Sequence, residues 1–195
     1  MSPAASEPVR AARPRRSLVR RLLRWAERTL ALCGLAFIVY HVGFDLSAMS
    51  SDSMSPALAG TNARNGDWVL TEKVSYWFRR PRRWEVVTFL NDDGLQVMKR
   101  VAGLPGERVG IREDRVVVDG AEPPRPERLA RLRHYAYGSL HKGAEAACGD
   151  GYFVLGDNTA DSLDSRYEGP VRPDSVVGRA WLVVWPPEKA GFVGP

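Results

Sequence analysis

The stretch EVVTFLNDDGLQVMKRV, residues 85–101, holds two short runs that are rich in β-branched and aromatic side chains, separated by an Asp-Gly turn signal. Short runs of this kind, bounded by turn residues, are typical of β-strands. With these two, the chain holds seven runs of this kind, at 68–71, 85–90, 97–101, 109–111, 116–119, 152–155 and 181–185. The sequence therefore predicts a mainly β domain, in which Asp119-Gly120 suits a tight hairpin turn.

Residues 121–150 interrupt this pattern, because they are rich in arginine, proline and alanine. We expect a short irregular insert or a reduced second subdomain there. No long amphipathic helix is predicted after residue 46. A chain of 195 residues, of which 44% are hydrophobic, is long enough for one sizeable globular domain.

Basic residues dominate positions 1–28, which hold eight arginines and only two acidic residues, and a nearly continuous apolar run follows at 30–44. A membrane-spanning helix needs about 20 apolar residues, and Trp25 and Leu46 can extend this run. Positively charged flanks stay on the cytoplasmic side of a membrane. We therefore predict a basic cytoplasmic tail, one transmembrane anchor and an outer β-rich domain, at 1–28, 29–46 and 47–190.

Two other interpretations of the N-terminal region stay open. A cleaved signal peptide also has a basic start and an apolar core, and a cut near Ala48 would release the β domain. A basic segment can also bind nucleic acid. Because this one adjoins an apolar run, we favour the membrane and predict no nucleic-acid partner.

Three clusters of residues could carry chemistry, and they lie at 51–58, 98–106 and 156–166. The three histidines, His41, His134 and His141, lie in the apolar run and in the insert, which disfavours a serine protease triad with a histidine base. No histidine, cysteine and carboxylate cluster has the spacing of metal ligands, and we predict neither a metal nor another cofactor.

A lysine can replace histidine as the base, because burial disfavours its charged form. Lys99 is one of only four lysines in an arginine-rich chain, and strand alternation puts its side chain on the same face as Val97 and Val101. Considered alone, it could instead be an edge-strand lysine that deters aggregation.

Considered together, the three clusters resemble the signatures of bacterial type I signal peptidases, membrane-bound serine–lysine proteases that remove signal peptides. Residues 51–58 match Ser-x-Ser-Met-x-Pro-x-Leu. Residues 99–107 match Lys-Arg-x-x-Gly-Leu-Pro-Gly-Asp, except that Glu107 replaces the final aspartate. Residues 156–166 match Gly-Asp-Asn followed by Ser-x-Asp-Ser-Arg. The resemblance covers roughly residues 30–185.

The resemblance implies a role for each matching residue. Ser53 corresponds to the nucleophile and Lys99 to the general base. Ser51 corresponds to a side-chain donor to the oxyanion, and Ser162 to the hydroxyl that orients the lysine amine. The resemblance also implies that Asp157 supports the structure of the site, and that Asp164 and Arg166 do so as an ion pair. The residues implied to form shallow pockets for small substrate side chains are Met54, Leu58, Val97 and Met98.

Besides Glu107, the sequence departs from the family pattern at three places. Asp52 stands where a small or uncharged residue is common, Thr159 replaces a basic residue, and Trp84-Glu85 replaces Gly-Asp. A carboxylate aimed at the oxyanion would oppose catalysis, so we expect Asp52 to face solvent.

These observations predict a membrane-bound endopeptidase that removes N-terminal signal peptides from exported preproteins at the outer face of the cytoplasmic membrane. Its expected partners are preproteins and membrane lipid, and we expect a monomer. The alternatives are a specialised serine–lysine processing peptidase with a narrow substrate range, a self-cleaving repressor-type protease, or an inactive membrane-anchored β module. Retention of Ser53, Lys99 and Ser162 disfavours the inactive module.

Overall fold

The structure is a computed structural model that describes residues 16–60, 62 and 65–194. It divides into two compact units, Met1–Tyr40 and His41–Pro195. The first 15 positions of the predicted basic tail lie outside the described residues.

The first element is a single helix, α1 (Arg16–Gly43), which runs through the arginine-rich segment and the apolar run. Its side chains are exposed from Leu18 to Val42. In the part of the chain that the structure describes, no helix is both long and apolar enough to span a bilayer. The sequence predicted an anchor that continues to Leu46, but α1 ends at Gly43, because the next five residues pair with a second strand instead.

Ten strands are the main regular elements of the described chain after α1, together with two short helices, α2 (Val74–Phe78) and α3 (Ser165–Glu168). The strands are β1 (Phe44–Ala48), β2 (Trp68–Glu72), β3 (Val86–Leu90), β4 (Gln96–Gly103), β5 (Arg108–Arg112), β6 (Arg115–Val118), β7 (Glu145–Ala147), β8 (Phe153–Leu155), β9 (Val176–Trp185) and β10 (Gly191–Phe192). The prediction of a mainly β fold is confirmed. Every predicted run contains a strand, although β9 begins at Val176, earlier than predicted.

Two antiparallel sheets result. The larger has the order β1-β2-β9-β3-β4-β8, with β10 paired to β9, and the smaller has the order β6-β5-β7. The β3–β4 hairpin from residues 85–101 lies inside the larger sheet, where Val87 is opposite Lys99. This register fixes the position of the lysine relative to the rest of the sheet.

The segment 121–150 is more ordered than the sequence predicted. It contains 3-10 helices at Glu127–Leu129 and Gly138–Gly143, and β7, which pairs with β5. Leu129 and Leu140 are buried in the same cluster as Val109 of β5. Burial of these leucines explains why a segment rich in arginine and proline still packs against the smaller sheet. The turn predicted at Asp119-Gly120 forms, with positive φ at both residues.

Candidate active site

The segment between β1 and β2 carries Ser53 on a compact turn. Met54 and Leu58 hold this turn because both side chains are completely buried in a cluster with Met98 of β4. At its two ends, the Met49 N–H donates to the Asp67 carbonyl oxygen and the Asp67 N–H donates to the carbonyl oxygen of Ala59. The two buried side chains and the backbone hydrogen bonds at the ends of the segment therefore fix the backbone around Ser53.

Lys99 reaches Ser53 from β4. The Nζ of Lys99 lies 2.5 Å from the Oγ of Ser53, and these residues are only 4% and 5% exposed. The sequence separation of 46 residues is closed by the sheet, since β4 is held on one side by β3 and on the other by β8. The two side chains form a serine–amine pair that is largely shielded from water.

Burial is the main cause that lowers the pKa of the Lys99 amine below its ordinary value. The negative charges of Asp164 and Glu168 act in the opposite direction and offset part of this effect. A lysine with a lowered pKa has a larger fraction of neutral amine at moderate pH, and only the neutral amine can accept a proton.

Two further serines lie near Ser53 in different environments. The exposed Ser51 donates a 3.2 Å hydrogen bond from its Oγ to the Oγ of Ser53. The Oγ of Ser162 is buried and has no hydrogen-bond partner among the described residues. A Cβ added to Gly156 would lie 2.2 Å from this Oγ and 2.5 Å from the Ser53 carbonyl oxygen. Ser162 therefore packs beside the Ser53 backbone, and its predicted contact with Lys99 is not formed.

The loop that follows β8 supports the same turn through its backbone. The Asn158 N–H donates a 3.0 Å hydrogen bond to the Ser53 carbonyl oxygen. The Gly156 N–H donates to a carboxylate oxygen of Asp164 at 3.0 Å. The absence of a side chain at Gly156 lets the loop approach Ser53 closely, which gives a physical reason for the Gly-Asp-Asn sequence.

Two buried ion pairs hold this loop. Asp164 accepts hydrogen bonds from the Arg166 guanidinium, and neither side chain has exposed surface. Asp157 binds Arg100 through two hydrogen bonds of 2.7 Å, with side-chain exposure of at most 2%. Sequence reasoning gave no role to Arg100, although its position directly after Lys99 in the second signature was a usable signal.

The structure also locates the three departures from the family pattern. The Asp52 carboxylate accepts a 3.1 Å hydrogen bond from the Gly60 N–H and is half-buried, so our expectation that it faces solvent is only partly met. Thr159 is buried, and its hydroxyl donates to the carbonyl oxygen of Arg133. Trp84 has a φ of 70° and is 5% exposed. Glycine tolerates that φ best, so the burial of the indole ring offsets a backbone conformation that is unfavourable for tryptophan.

A cavity of about 100 Å³ opens beside the serine–lysine pair. Its lining combines the segment after β1 with the start of β4: Ser47, Ala48, Met49, Ser50, Ser51, Ser53, Gln96, Val97, Met98 and Lys99. Val97 and Met98, two of the four residues assigned to the substrate pocket by the resemblance, line this cavity. Met54 and Leu58 do not line the cavity, because the core buries them completely. The contribution of residues 47–50 was missed, since no catalytic signature covers them.

Comparison with known proteins gives a consistent set of relatives. The family model described as "Signal peptidase, peptidase S26" matches residues 22–185. "Signal peptidase I" of Leptolyngbya laminosa is 33% identical over 154 residues, covering 74% of this chain and 70% of the relative. "Signal peptidase I" of Bacillus caldolyticus is 29% identical over 171 residues, covering 84% and 91%. The crystal structure of a signal peptidase I from Enterococcus faecalis V583 aligns at 32% identity over 52% of this chain and 97% of that one, with a TM-score of 0.41.

Proposed function

This chain belongs to the signal peptidase family, peptidase S26, and from that premise we propose how its individual residues carry out the reaction. It is a serine endopeptidase that removes signal peptides from preproteins. The observation that carries the residue assignments is the 2.5 Å distance between Lys99 Nζ and Ser53 Oγ in a buried environment.

Ser53 acts as the nucleophile and Lys99 as the general base. The neutral amine accepts the proton of the Ser53 hydroxyl while Oγ attacks the carbonyl carbon of the scissile bond. The resulting ammonium then gives that proton to the leaving amine as the peptide bond breaks, which produces an acyl-enzyme and a free N-terminus. Lys99 next accepts a proton from a water molecule as the water oxygen attacks the ester carbonyl carbon. The ammonium then returns this proton to Ser53 Oγ as the acyl–oxygen bond breaks, which releases the signal peptide with a free carboxyl group and regenerates Ser53 and the neutral amine.

The oxyanion of the tetrahedral intermediate needs hydrogen-bond donors aimed at it. The Ser51 hydroxyl lies within 3.2 Å of the Ser53 Oγ, and rotation about its side-chain torsion can redirect it to a substrate oxygen. The backbone N–H of Ser53 is the second donor that we assign. The buried Oγ of Ser162 has no hydrogen-bond partner among the described residues. We propose that a rotamer change lets it form a hydrogen bond with the Lys99 amine.

The substrate binds in an extended conformation along the first half of β4. β8 pairs with Arg100, Val101 and Gly103 but, among the described residues, not with Gln96–Lys99, so that backbone edge is available to a substrate strand. The cavity of about 100 Å³ beside Val97 and Met98 fits small side chains. Met54 and Leu58 support this cavity from the core behind it.

Membrane attachment through α1 is part of the proposal. The second half of α1 exposes large apolar side chains, among them Leu30, Phe37 and Ile38 at 76%, 64% and 59%, and a helix that is apolar all round is typical of a lipid environment. The arginines that precede this region favour a cytoplasmic N-terminus. The peptidase domain, residues 47–190, then acts as a monomer on the outer face of the cytoplasmic membrane.

Cleavage of a preprotein by the detergent-solubilised full chain tests these roles. Ser53→Ala should reduce the rate by about three orders of magnitude or more. Ser55→Ala, which removes a hydroxyl two residues away, should retain activity and serves as the matched control. Full activity of Ser53→Ala would refute its role as the nucleophile.

A panel of unrelated preproteins separates a general signal peptidase, which cuts most of them, from a narrow processing peptidase. Failure of the wild type to cut any would favour the inactive module.

A further inference from the structure

Residues 133–138 precede and begin the second 3-10 helix of the insert, and they contact the loop that follows β8. The Thr159 hydroxyl donates a 3.0 Å hydrogen bond to the Arg133 carbonyl oxygen and accepts one of 3.3 Å from the Tyr135 N–H. Thr159 is only 3% exposed, so water has little access to these hydrogen bonds. We call residues 133–138 the brace segment.

The Arg166 guanidinium makes a second connection between the brace segment and the loop that follows β8. It donates hydrogen bonds of 3.1 Å to the Tyr135 carbonyl oxygen and of 2.9 Å to the Thr159 carbonyl oxygen. A Cβ added to Gly138 would clash with the Arg166 carbonyl oxygen, so the two backbones are in direct contact. The brace segment therefore cannot move towards the loop, and its hydrogen bonds oppose movement away from it.

The brace segment is itself held by the smaller sheet. The His134 N–H donates a 2.9 Å hydrogen bond to the carbonyl oxygen of Asp114, which lies in the turn between β5 and β6. On either side of the segment, Leu129 and Leu140 are buried in the cluster that includes Val109 of β5. Packing of the insert on the smaller sheet thus gives the brace segment a fixed position.

Thr159 directly follows the residue that holds the Ser53 backbone. The Asn158 N–H donates a 3.0 Å hydrogen bond to the Ser53 carbonyl oxygen. The Arg166 guanidinium also donates to the Ser162 carbonyl oxygen at 3.4 Å. A shift of the loop at Thr159 would therefore displace the backbone on which Ser53 and Ser162 depend.

We propose that Thr159 is a positioning residue for the cleavage reaction, through which the brace segment fixes the backbone of Ser53. This role rests on the peptidase function proposed above. A hydroxyl can donate and accept hydrogen bonds at once, whereas the basic side chain that is common at this position in the family can only donate. Only a hydroxyl can therefore satisfy both the Arg133 carbonyl oxygen and the Tyr135 N–H.

Thr159→Val tests this role, because valine has nearly the same shape without the hydroxyl. We expect kcat for preprotein cleavage to fall by about tenfold or more. KM should not change, because the proposed substrate strand lies along Gln96–Lys99, which none of these contacts involves. Thr159→Ser keeps the hydroxyl and should retain most of the wild-type kcat.

Thr71→Val is the matched control for this substitution. Thr71 is completely buried, and its hydroxyl forms a 2.8 Å hydrogen bond with that of Thr88 instead of with the loop. Thr71→Val therefore also leaves a buried polar group without its partner, but it should keep the wild-type kcat. An equal kcat for Thr159→Val and Thr71→Val would overturn the positioning role, and so would a raised KM at an unchanged kcat.

Two glycines allow the brace segment to be displaced while the Thr159 hydroxyl is kept. Gly138 and Gly143 have φ angles of 55° and 81°, so alanine strains the backbone at either position. Only the Cβ at position 138 would meet the loop, because nothing lies within 4 Å of a Cβ at position 143. Gly138→Ala should therefore lower kcat and Gly143→Ala should not. If Thr159→Val does not fold, this pair decides the question, and equal kcat values overturn the proposal.

Hydrogen exchange at Asn158 separates this role from the catalytic assignments. Exchange of its amide should be faster in Thr159→Val than in the wild type or in Thr71→Val, because the loop loses its support. Faster exchange with an unchanged kcat would overturn the positioning role and leave the roles of Ser53 and Lys99 intact. Full activity of Ser53→Ala would overturn the nucleophile, whereas a lowered kcat of Thr159→Val would still support the role of Thr159.

Discussion

Arg100 and Asp157 connect the strand that carries Lys99 to the loop that holds Ser53, through two hydrogen bonds of 2.7 Å between buried side chains. A third hydrogen bond joins the Arg100 guanidinium to the Trp84 carbonyl oxygen at 2.7 Å. A planar guanidinium can satisfy this carboxylate and the carbonyl at once, which a lysine could not do. The distance within the serine–lysine pair therefore depends on an ion pair that lies outside it.

Removal of one partner from this ion pair should destabilise the fold strongly. Arg100→Met leaves the Asp157 carboxylate buried without its cation, and we expect the free energy of unfolding to fall by about 3–5 kcal/mol. Denaturant unfolding measures the change. Arg172→Ala, which breaks the exposed pair with Asp174, is the control and should leave stability unchanged. Equal stability of the two variants would contradict the structural importance of the buried pair.

Activity should increase with pH as Lys99 loses its proton. Burial lowers the pKa of Lys99 below the ordinary lysine value of 10.5, so the acid limb of the kcat/KM profile should have its midpoint below that value. Steady-state cleavage of a peptide substrate across a pH series measures it. A rate that does not change from mildly acidic to alkaline pH would contradict the role of Lys99 as the base.

The same pKa shift predicts how stability depends on pH. The Lys99 pKa is lower in the folded chain than in the unfolded chain, so between these two values the unfolded chain binds more protons. The free energy of unfolding therefore rises with pH in this window. Lys99→Met removes this dependence and should be more stable than wild type near neutral pH. The difference in the free energy of unfolding should shrink as the pH approaches the ordinary lysine pKa of 10.5. A difference that is constant with pH would show that Lys99 titrates normally.

A side chain at position 156 should impair catalysis. A Cβ there would lie 2.2 Å from the Ser162 Oγ and 2.5 Å from the Ser53 carbonyl oxygen, so the Ser53 backbone must shift. A misplacement of this size can lower kcat by about 100-fold, and we expect that loss for Gly156→Ala. Gly191→Ala is the matched control, because the nearest atom to its added Cβ is 3.9 Å away. A similar kcat for the two variants would contradict the need for close approach.

Several parts of this fold could be predicted because they depend on local patterns. Alternation of side chains predicted the strands around Val87 and Lys99, and it placed the lysine towards the core. Strand β1 was not predicted, because the predicted membrane anchor extended to residue 46 and so included most of this five-residue strand. Its assignment as a strand depends on pairing with β2, in which the paired residues are 20 to 28 positions apart in the chain.

The catalytic residues of the candidate site could be predicted from the signatures, but the packing around these residues could not. The signatures named Ser53 and Lys99, and the fold brings them together. They also grouped Met54 and Leu58 with the pocket, whereas the core buries both. Burial is set by the packing of several strands and cannot be read from a motif. For the same reason, the positive φ of Trp84 and the burial of its indole ring could be recognised only in the structure.

The sequence by itself determined the family, the strand-rich composition and the residue types available for chemistry, because signatures and alternation are local properties of the chain. Only the tertiary structure decided the distance between Lys99 and Ser53, the burial that lowers the lysine pKa, and the pairing of Arg100 with Asp157. These properties depend on contacts between segments distant in the chain, and on the exclusion of water from the space between them.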